Sequence, residues 1–312
     1  MLDVLTVTLN PALDLSTSAA HVVPTHKIRC ESMQMHPGGG GVNVARVIHR
    51  LGGQCTALYP AGGENGAVFQ QLLDEEGVPS LCIPIAGETR ENFSVKDISI
   101  NDEFRFVLPG PALQTSEWQA CMDQIIVLDN LPRFVVASGS LPPGVPLDFY
   151  ARLSRLLKPR HVQLMLDTSG PALSLALDEG VYMCKPSLRE LSELCGQSLG
   201  TEADWRLAAQ ELIRRGKAEV IVLSLGEGGA CLFTGSASWF APALPVNVVS
   251  AIGAGDSFVG AMVWAISKGF DLPDAFKYGV AGATAALMST GTGLCQPGDV
   301  NRLFEDVRLV KI

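Results

Sequence analysis

The sequence predicts an α/β protein, one domain over residues 1–312 with an open, mainly parallel sheet and a small β-sheet lid. Three observations favour this class. The chain has 312 residues, 47% of them apolar, which is enough for one large core. Strand and helix patterns alternate along most of its length, as crossover connections between parallel strands require. One hairpin pattern breaks this alternation and predicts the lid.

The first predicted element is a strand from Leu2 to Leu9, in which β-branched and apolar residues alternate with polar ones. Asp14 follows just past its end. The next stretch is irregular, and no clear strand precedes the glycine-rich run from Pro37 to Gly41. Apolar residues at helical spacing then predict a helix from Val42 to Leu51, closed by two glycines.

The glycine-rich run at the start of this helix indicates a ligand site. It fits neither a dinucleotide fingerprint nor a Walker loop, because no strand leads into it and no lysine follows the glycines. Gly39 would let the backbone approach a ligand closely, and the Asn43 amide can bind sugar hydroxyls. The alternative is a glycine cluster that serves packing alone.

The middle of the chain combines regular βα segments with the hairpin. The regular segments are two strands, at residues 55–59 and 81–85, and a helix at residues 66–76. The hairpin runs from Arg90 to Leu108 around a polar turn and predicts a lid or a dimer clasp. Arg90 and Arg105 flank it and could clamp a phosphate bidentately. The alternative is a pair of solvated arginines on a strand.

In the second half, Ser116 and Gln119 have the spacing of a capping box for a helix that ends near Ile126. Four buried-type strands follow, and each ends on polar residues such as Ser138, Asp167, Lys185 and Ser224. The strands cover residues 134–137, 162–166, 181–184 and 220–223. Since ligands bind at the carboxyl ends of the strands in an open parallel sheet, these endings predict the active site.

Two of these endings suggest a nucleotide and its metal. Lys185 and Ser224 could contact a nucleotide. Glu190 comes three residues after Ser187, in the first turns of the next helix, and could hold Mg²⁺ through water. The alternative for Glu190 is an ordinary acidic residue at a helix N-terminus.

The loop from Ser250 to Asp256 predicts a phosphoryl site. It runs into an apolar helix, so the amides of Gly253, Ala254 and Gly255 would point at an anion with the helix dipole behind them. A carboxylate beside a bound phosphoryl group needs a task of its own, and Asp256 is interpreted as a general base. The alternative is that Asp256 only caps the helix. Small residues from Leu272 to Met288 predict a helix packed tightly beside this loop.

Composition argues against several classes of partner and site. The net charge of −9 argues against a nucleic-acid partner, and a phosphate site would have to be locally basic. Eight scattered cysteines without a C-x-x-C motif suggest neither a zinc site nor a disulfide framework. No signal peptide or membrane span is apparent, so we expect a cytoplasmic protein without a membrane partner.

The stretches from Gly38 to Arg46 and from Ile252 to Ala261 resemble the two signatures of the ribokinase-like (PfkB) sugar kinases. Residues 10–14, 138–144 and 185–186 are similar to the phosphosugar branch of that family, and most similar to its minor 6-phosphofructokinase group. The resemblance runs nearly end to end. It implies a three-layer α/β/α sandwich with a β-lid, formed by residues 11–37 and 88–108, that also makes a homodimer.

The resemblance also implies roles for the candidate residues. Asp256 would be the base, and Gly253, Ala254 and Gly255 would hold the transferring phosphoryl group. The sugar would be held by Asp14, Gly39 and Asn43. Its phosphate would lie among Lys27, Arg90, Arg105 and the backbone of Gly139, with one arginine supplied by the partner subunit. ATP would be bound by Lys185, Ser187, Ser224 and Gly226.

Three positions depart from the family pattern. Ser187 stands where the family has asparagine after Lys185-Pro186, which bears on Mg²⁺ and ATP binding. Ala251 stands where threonine is frequent, and Gly293 where the minor 6-phosphofructokinase group has arginine. A monovalent cation, K⁺, would then bind at a set of five residues. These are Ser250, Ile252, Ala286, Ser289 and Gly291.

The reaction implied by the resemblance is transfer of the γ-phosphoryl group of ATP, as its Mg²⁺ complex, to the C1 hydroxyl of fructose 6-phosphate in glycolysis. Within enzymes, the alternatives are a 1-phosphofructokinase or a tagatose-6-phosphate kinase. From another class, the alternative is a phosphosugar-binding or nucleotide-binding regulator with weak turnover, suggested by Ser187.

Overall fold

The computed structural model describes residues 3–128 and 131–312, which contain fourteen strands and ten α-helices. The strands are β1 (Val4–Val7), β2 (Ala12–Ala19), β3 (Gln34–Gly38), β4 (Cys55–Ala61), β5 (Ser80–Pro84), β6 (Arg90–Asp97), β7 (Asp102–Val107), β8 (Phe134–Ser138), β9 (Gln163–Asp167), β10 (Val181–Cys184), β11 (Ala218–Ser224), β12 (Ala230–Thr234), β13 (Ser238–Ala241) and β14 (Val310–Lys311). The helices are α1 (Gly40–Arg50), α2 (Gly63–Glu75), α3 (Thr115–Ile126), α4 (Phe149–Leu157), α5 (Gly170–Glu179), α6 (Leu188–Cys195), α7 (Glu202–Arg214), α8 (Ala254–Ser267), α9 (Leu272–Leu287) and α10 (Pro297–Phe304).

The large sheet has the order β14-β13-β12-β11-β10-β9-β8-β1-β4-β5. The strands from β11 to β5 in this order run parallel, and β12 to β14 add an antiparallel edge. The mainly parallel sheet is therefore confirmed, and every strand predicted for it is present. Leu2, at the start of the first predicted strand, lies outside the described residues.

Helices cover both faces of this sheet, because successive side chains of a buried strand point to opposite sides. On β8, Val136 belongs to an apolar core shared with α1, α2, α8, α9 and α10, whereas its neighbour Val135 belongs to a second core shared with the helices from α3 to α7. The two apolar cores lie on opposite sides of the sheet. This is the expected three-layer α/β/α sandwich.

A second sheet of four strands, in the order β3-β2-β6-β7, forms the lid. The hairpin of β6 and β7 is antiparallel as predicted, and β2 joins it in parallel. The prediction for residues 15–36 was wrong in part, because β2 and β3 occupy stretches interpreted as irregular. In particular, β3 leads directly into the glycine-rich run, where no strand was expected.

Alternation divides the lid into a polar and an apolar face. On one face the register aligns His36, Asp14, Asn92 and Val107 across the four strands. On the other it aligns four apolar side chains, which are Met35, Leu15, Phe93 and Phe106. Side chains of the first face line the cavity described below. The apolar face includes Phe106, which is 53% exposed.

Two helix predictions can be compared in detail. The capping box expected at Ser116 and Gln119 was wrong by two residues, because Gln114 precedes the helix and its backbone N–H donates to Glu117 Oε2 at 2.6 Å. The small residues of α9 do pack against α8. A Cβ at Gly282 would lie 2.7 Å from the backbone oxygen of Ser257. Within the described residues, no helix is both long and apolar enough to cross a membrane.

Candidate active site

A cavity of about 310 Å³ lies between the carboxyl ends of the parallel strands and the polar face of the lid. Its walls come from the lid, the glycine-rich run, the ends of β8 and β9, helix α6 and the start of α8. The lining residues are Asp14, Gly39, Gly40, Asn43, Arg90, Asn92, Arg105, Val107, Ser138, Gly139, Ser140, Asp167, Thr168, Ser169, Glu190, Ile252, Gly253, Asp256 and Thr292. The topology thus brings the strand endings of β8 and β9 and the lid arginines to one place, whereas Lys185 and Ser224, at the ends of β10 and β11, are not among the lining residues.

The loop before α8 has the form predicted for an anion site. Gly253 is the N-cap residue and has φ 75°, a left-handed conformation that suits glycine. The first-turn amides, including those of Ala254 and Gly255, have no partner further up the helix and carry the positive end of its dipole. Gly253 and Asp256, on either side of these two residues, line the cavity.

Asp256 is the third residue of α8 and not its cap, so the capping alternative does not describe it. The amide Nδ2 of Asn43 donates to Asp256 Oδ2 at 2.8 Å. Burial raises the pKa of Asp256 to about 6, with the Asn43 hydrogen bond opposing the shift and the Asp167 charge adding to it. The group is a carboxylate at neutral pH, yet it is basic enough to take a proton.

The glycine-rich run approaches the protein itself more closely than expected. A Cβ at Gly38 would lie 2.1 Å from Asp14 Oδ2, and a Cβ at Gly40 would lie 2.1 Å from Ser138 Oγ. Packing therefore accounts for both of these glycines. Gly39 has φ 110° and lines the cavity, and a Cβ there would lie 2.8 Å from Thr8 Cγ2, so packing accounts for this glycine as well.

Asp14 lies on the lid strand β2, opposite the anion loop. Asn92 Nδ2 donates to its Oδ1 at 2.9 Å. Burial raises the pKa of Asp14, while this hydrogen bond and the charges of Arg105 and Arg90 oppose the shift. The carboxylate and the Asn92 amide form a polar pair suited to sugar hydroxyls.

The residues expected to surround a phosphate are only partly brought together. Arg90 and Arg105 both line the cavity of one chain. Arg90 donates to the backbone oxygens of Leu108 at 2.8 Å and of Asn10 at 2.9 Å. Lys27 is exposed on the loop between β2 and β3 and is not among the lining residues.

Gly139 lines the cavity, but its backbone is already engaged. Its N–H donates to the Asp167 oxygen at 3.0 Å. Its own oxygen accepts from the Tyr150 hydroxyl at 3.0 Å and from Thr168 Oγ1 at 2.9 Å. The role of the Gly139 backbone near the sugar's phosphate stays a prediction, and these bonds hold that backbone in place at the cavity.

Lys185 was predicted to contact the nucleotide, and its ammonium group lies beside the predicted phosphoryl site. Its Nζ is 3.2 Å from Asp167 Oδ1, with both side chains largely buried. A Cβ at Gly255 would lie 3.6 Å from the same Nζ, so the ammonium group reaches the anion loop. Burial raises the pKa of Asp167, although the Lys185 charge acts against this shift.

Ser187 and Glu190 form a capping box at the start of α6. The Ser187 N–H donates to Glu190 Oε2 at 2.8 Å, and the Glu190 N–H donates to Ser187 Oγ at 3.3 Å. The ordinary helix N-terminal role of Glu190 is thus present, and the residue also lines the cavity. Ser224 pairs with Ser187 as an isolated bridge, and Gly226 begins a single 3-10 turn just beyond it.

The candidate metal sites differ in fit. No group of three or more His, Cys, Asp or Glu residues in the described chain could hold a metal ion. Glu190 would thus contribute to a Mg²⁺ ion held mainly by phosphates and water, as is usual for this ion. At the proposed cation site, Ala286 O accepts from the Ser289 N–H, whose hydroxyl donates to Leu294 O, while Ser250 Oγ donates to Glu103 Oε2. A cation there would rely on backbone oxygens.

Three site residues were missed as candidates. Asp167 was recorded only as a strand ending, although that position was itself the signal. Asn92 lies on the predicted hairpin, but its direction depends on the register. Arg46 is fully buried and its NH1 donates to Asn43 Oδ1 at 3.1 Å. In the sequence, Arg46 is the last residue of the stretch that resembles a family signature, but nothing there indicates that its side chain is buried.

A family model described as pfkB family carbohydrate kinase matches residues 8–299. The chain is 46% identical over 302 residues to ATP-dependent 6-phosphofructokinase isozyme 2 of Mycobacterium tuberculosis, covering 97% of this chain and 89% of the relative. It is 38% identical to the isozyme of the same name from Escherichia coli, covering 97% and 98%. The crystal structure of E. coli phosphofructokinase-2 in complex with fructose-6-phosphate matches with a TM-score of 0.92 at 37% identity, covering 98% and 99%.

Other matches bear on specificity and assembly. A 1-phosphofructokinase from Bacillus subtilis is 30% identical over 98% of this chain and 99% of the relative. The E. coli phosphofructokinase-2 is also known in complex with potassium and as a tetrameric inhibited form.

Proposed function

The chain belongs to the pfkB family of carbohydrate kinases, and we propose that it is an ATP-dependent 6-phosphofructokinase. It transfers the γ-phosphoryl group of ATP to the C1 hydroxyl of fructose 6-phosphate, giving fructose 1,6-bisphosphate and ADP. One observation carries this proposal. A carboxylate of raised pKa, Asp256, lies beside a helix N-terminus in a cavity that the lid arginines share. Those are the base, the anion site and the phosphate ligands that the reaction needs.

Asp256 accepts the proton of the attacking C1 hydroxyl. At neutral pH it is ionised, and its pKa of about 6 brings it closer to the operating pH than an ordinary aspartate. The Asn43 amide holds Oδ2, which leaves the other carboxylate oxygen for the hydroxyl. The amides of Gly253, Ala254 and Gly255 stabilise the negative charge on the transferring group.

ATP approaches from the strand ends opposite the lid. Lys185 reaches the anion loop and neutralises phosphate charge, and Ser187, Ser224 and Gly226 border the nucleotide. Mg²⁺, which supplies charge neutralisation between phosphate groups when bound, would be held by those groups and by Glu190 through water. The backbone N–H of Ser187 orients the Glu190 carboxylate, and the Ser187 hydroxyl accepts from the Glu190 N–H as an asparagine oxygen at an N-cap can, so serine can take the place of the family asparagine in this capping box.

The phosphosugar binds against the lid. Asp14, Asn92 and Asn43 accept or donate hydrogen bonds to its hydroxyls. Arg90 and Arg105 bind its phosphate, and planar guanidinium groups can do so bidentately. Lys27 is not among the residues that line the cavity of its own chain. In a dimer paired through the lids, it would bind the phosphate in the cavity of the neighbouring chain.

The direct test is ADP release with MgATP and one sugar at a time. We expect the highest kcat/KM with fructose 6-phosphate, and lower values with fructose 1-phosphate, tagatose 6-phosphate and unphosphorylated fructose. A preference for another phosphosugar would make the chain a 1-phosphofructokinase or a tagatose-6-phosphate kinase. ATP binding without turnover on any sugar would favour a regulator and implicate Ser187.

We also propose that two copies pair through the apolar face of the lid. The aligned side chains of that face include Met35, at 43% exposure, and Phe106, at 53%. An exposed sheet face of this kind is typical of an interaction surface, and a related phosphofructokinase forms an oligomer. We expect Phe106→Arg to be a monomer in sedimentation, while Leu207→Arg, on the distant α7, remains a dimer. A monomeric wild type at micromolar concentration would contradict this.

Two further proposals concern a monovalent cation and the cellular compartment. K⁺ binds the backbone oxygens near Ser250 and Gly291, as suggested by the potassium complex of a relative. Activity in KCl should then exceed activity in a tetramethylammonium salt of equal ionic strength.

Eight unpaired cysteines suit a reducing compartment, so we assign the enzyme to the cytoplasm. Fractionation of the native cells would test this.

A further inference from the structure

Arg46 is the largest side chain that is fully buried in the described chain. A buried guanidinium group is costly unless its charge is paired and its N–H groups are bonded. Here Nε donates to Glu76 Oε1 and Oε2, both at 3.0 Å, and NH2 donates to Oε1 at 2.6 Å. The pair with Glu76, which is partly exposed at the end of α2, meets this cost.

The remaining nitrogen, NH1, faces the active site. It donates to Asn43 Oδ1 at 3.1 Å, to the Pro37 oxygen at 2.9 Å and to the Thr292 oxygen at 3.3 Å. Pro37 lies on the lid strand β3, and Thr292 lines the cavity. One buried group therefore joins α1, the lid and the loop after α9.

The bond from Arg46 to Asn43 determines which way the Asn43 amide points. Its oxygen accepts from a guanidinium group, which can only donate, and its nitrogen donates to Asp256, a carboxylate that accepts. The flipped amide would place its nitrogen against the guanidinium group and its oxygen against the carboxylate. Both contacts would then be repulsive, so a single orientation is stable.

We propose that Arg46 is a positioning residue for Asp256, acting through Asn43 in a buried relay from Glu76 to Arg46, Asn43 and Asp256. The inference rests on the proposed role of Asp256 as the base. Arg46 does not touch the reacting atoms. It fixes the amide that orients the carboxylate and keeps a hydrogen bond on its ionised form.

Charges around the relay set the direction of the expected pH effect. Asp256 is faced by Lys185 and Asp167 from the strand ends and by Asp14 from the lid, with the cavity also holding Arg90, Arg105 and Glu190. Arg46 is faced by Glu76, Arg50 and His36, and burial lowers the pKa of His36. A carboxylate that loses a hydrogen bond to its ionised form has a higher pKa. Loss of the relay should thus shift the acid limb of the kcat profile to higher pH.

The test compares Arg46→Lys with Arg50→Met. Lysine keeps the buried charge near Glu76, but it cannot bond Glu76 and Asn43 at once. Arg50 shares Glu76, at 3.1 Å, and donates to the Gly293 oxygen without a bond to Asn43. Arg50→Met is therefore matched for the loss of stability and leaves the relay intact.

We expect Arg46→Lys to lower kcat by roughly 10- to 100-fold, since small displacements of a reacting group cost about this much. Its acid limb should move up by about one pH unit, with little change in KM for ATP. Arg50→Met should keep the wild-type profile. An unchanged acid limb in Arg46→Lys, with kcat lowered no more than in Arg50→Met, would overturn the proposal.

Two further variants keep the test decisive. If Arg46→Lys does not fold, Glu76→Gln weakens the hold on Arg46 without removing it and should shift the acid limb in the same direction by less. An unchanged limb there would count against the relay. Asp256→Asn separates the two hypotheses, because full activity in that variant would remove the proposed base itself, whatever Arg46 does.

Discussion

The two walls of the cavity are built differently. On the sheet wall, Asn43, Lys185 and Asp256 each have a partner within the large sheet and its helices. On the lid wall, Asp14 bonds to Asn92 on a neighbouring lid strand, and Arg105 is exposed. The lid sheet also leaves its outer apolar face in solvent. The sheet wall is therefore fixed by the core, and the lid wall depends on its own small sheet and on what pairs with it.

This difference separates two tasks. Groups that act on the transferring phosphoryl group need positions held to a fraction of an ångström, which the packed sheet wall supplies. Groups that select the sugar can lie on an element that closes over it. Changes on the sheet wall should therefore lower kcat or ATP use, and changes on the lid wall should raise KM for the phosphosugar.

The largest effect is expected from Asp256→Asn. A positioned base contributes roughly 10²- to 10⁴-fold, so kcat should fall by about that factor while ATP binding is retained. Burial raises the folded pKa of Asp256 to about 6, above its ordinary value, so the ionised group destabilises the fold at pH 7. Asparagine removes that charge, and Tm should rise. Steady-state kinetics and calorimetry would measure both.

The pH profile of the wild type gives the matching control. Because the base must be ionised, kcat should fall as pH decreases through about 6. An acid limb near pH 4 would mean that the group in the transition state is an unperturbed carboxylate. An unchanged kcat in Asp256→Asn would assign the proton transfer to another residue and remove the distinction between the walls.

Lys185→Met should have the next largest effect. Charged hydrogen bonds contribute about 1.5–3 kcal/mol, so kcat/KM for ATP should fall by roughly 10- to 150-fold. The variant also leaves Asp167 buried without its cation, and removing one partner of such a pair costs about 3 kcal/mol of unfolding free energy. Denaturant unfolding and ATP titration would measure these losses.

The double variant Lys185→Met with Asp167→Asn tests whether the two losses have separate causes. It removes the unpaired charge, so most of the stability should return, while ATP use should remain poor. Recovery of both together would show that Lys185 acts on the fold alone.

On the lid wall, Arg105→Glu should raise KM for fructose 6-phosphate by about tenfold, less than a buried contact would, because Arg105 is exposed. KM for ATP should change little. The same substitution at Arg90 removes bonds to two backbone oxygens of the chain, so it should also lower Tm. An equal rise in KM for both substrates in Arg105→Glu would indicate a folding defect. It would also contradict the separate roles of the two walls.

The same contrast explains what the sequence could predict. The parallel strands are buried on both faces, so continuous apolar runs such as 134–137 identify them directly. The lid strand β2 reads ALDLSTSA, in which Leu13 and Leu15 are the only large apolar residues, and it is paired with β3 and β6. Its signal lies in its neighbours, and residues 15–36 were therefore interpreted as irregular.

Site residues, like strands, could be predicted where local sequence determines their position and not where distant contacts do. Asp256, Lys185 and the strand endings could be predicted, because local motifs and the sheet edge determine where they lie. Arg46 could not, because its role depends on Glu76, which lies 30 residues away in sequence.

The smallest effect is expected where the lid wall touches the sheet wall. Lys96 and Glu103 are opposite each other on β6 and β7. The Lys96 ammonium group donates to the Val249 oxygen, and Glu103 Oε2 accepts from Ser250 Oγ at 2.8 Å. Ser250 Oγ in turn accepts from the Ile252 N–H at 3.1 Å, within the loop from Ser250 to Asp256. Lys96 and Glu103 therefore connect the lid, through these hydrogen bonds, to the loop that carries the anion site.

If this contact only helps the lid to close, Glu103→Gln and Lys96→Met should each raise KM for the phosphosugar by roughly two- to fivefold, because both charged side chains are partly exposed and solvent weakens their hydrogen bonds. Their double variant should be little worse than either, because both act on one contact. A matched change at Lys277, which lies on α9 over the Phe304 ring, should leave KM unaltered. A fall in kcat without a change in KM would instead mean that the lid helps to shape the anion loop, and that the two walls act as one unit.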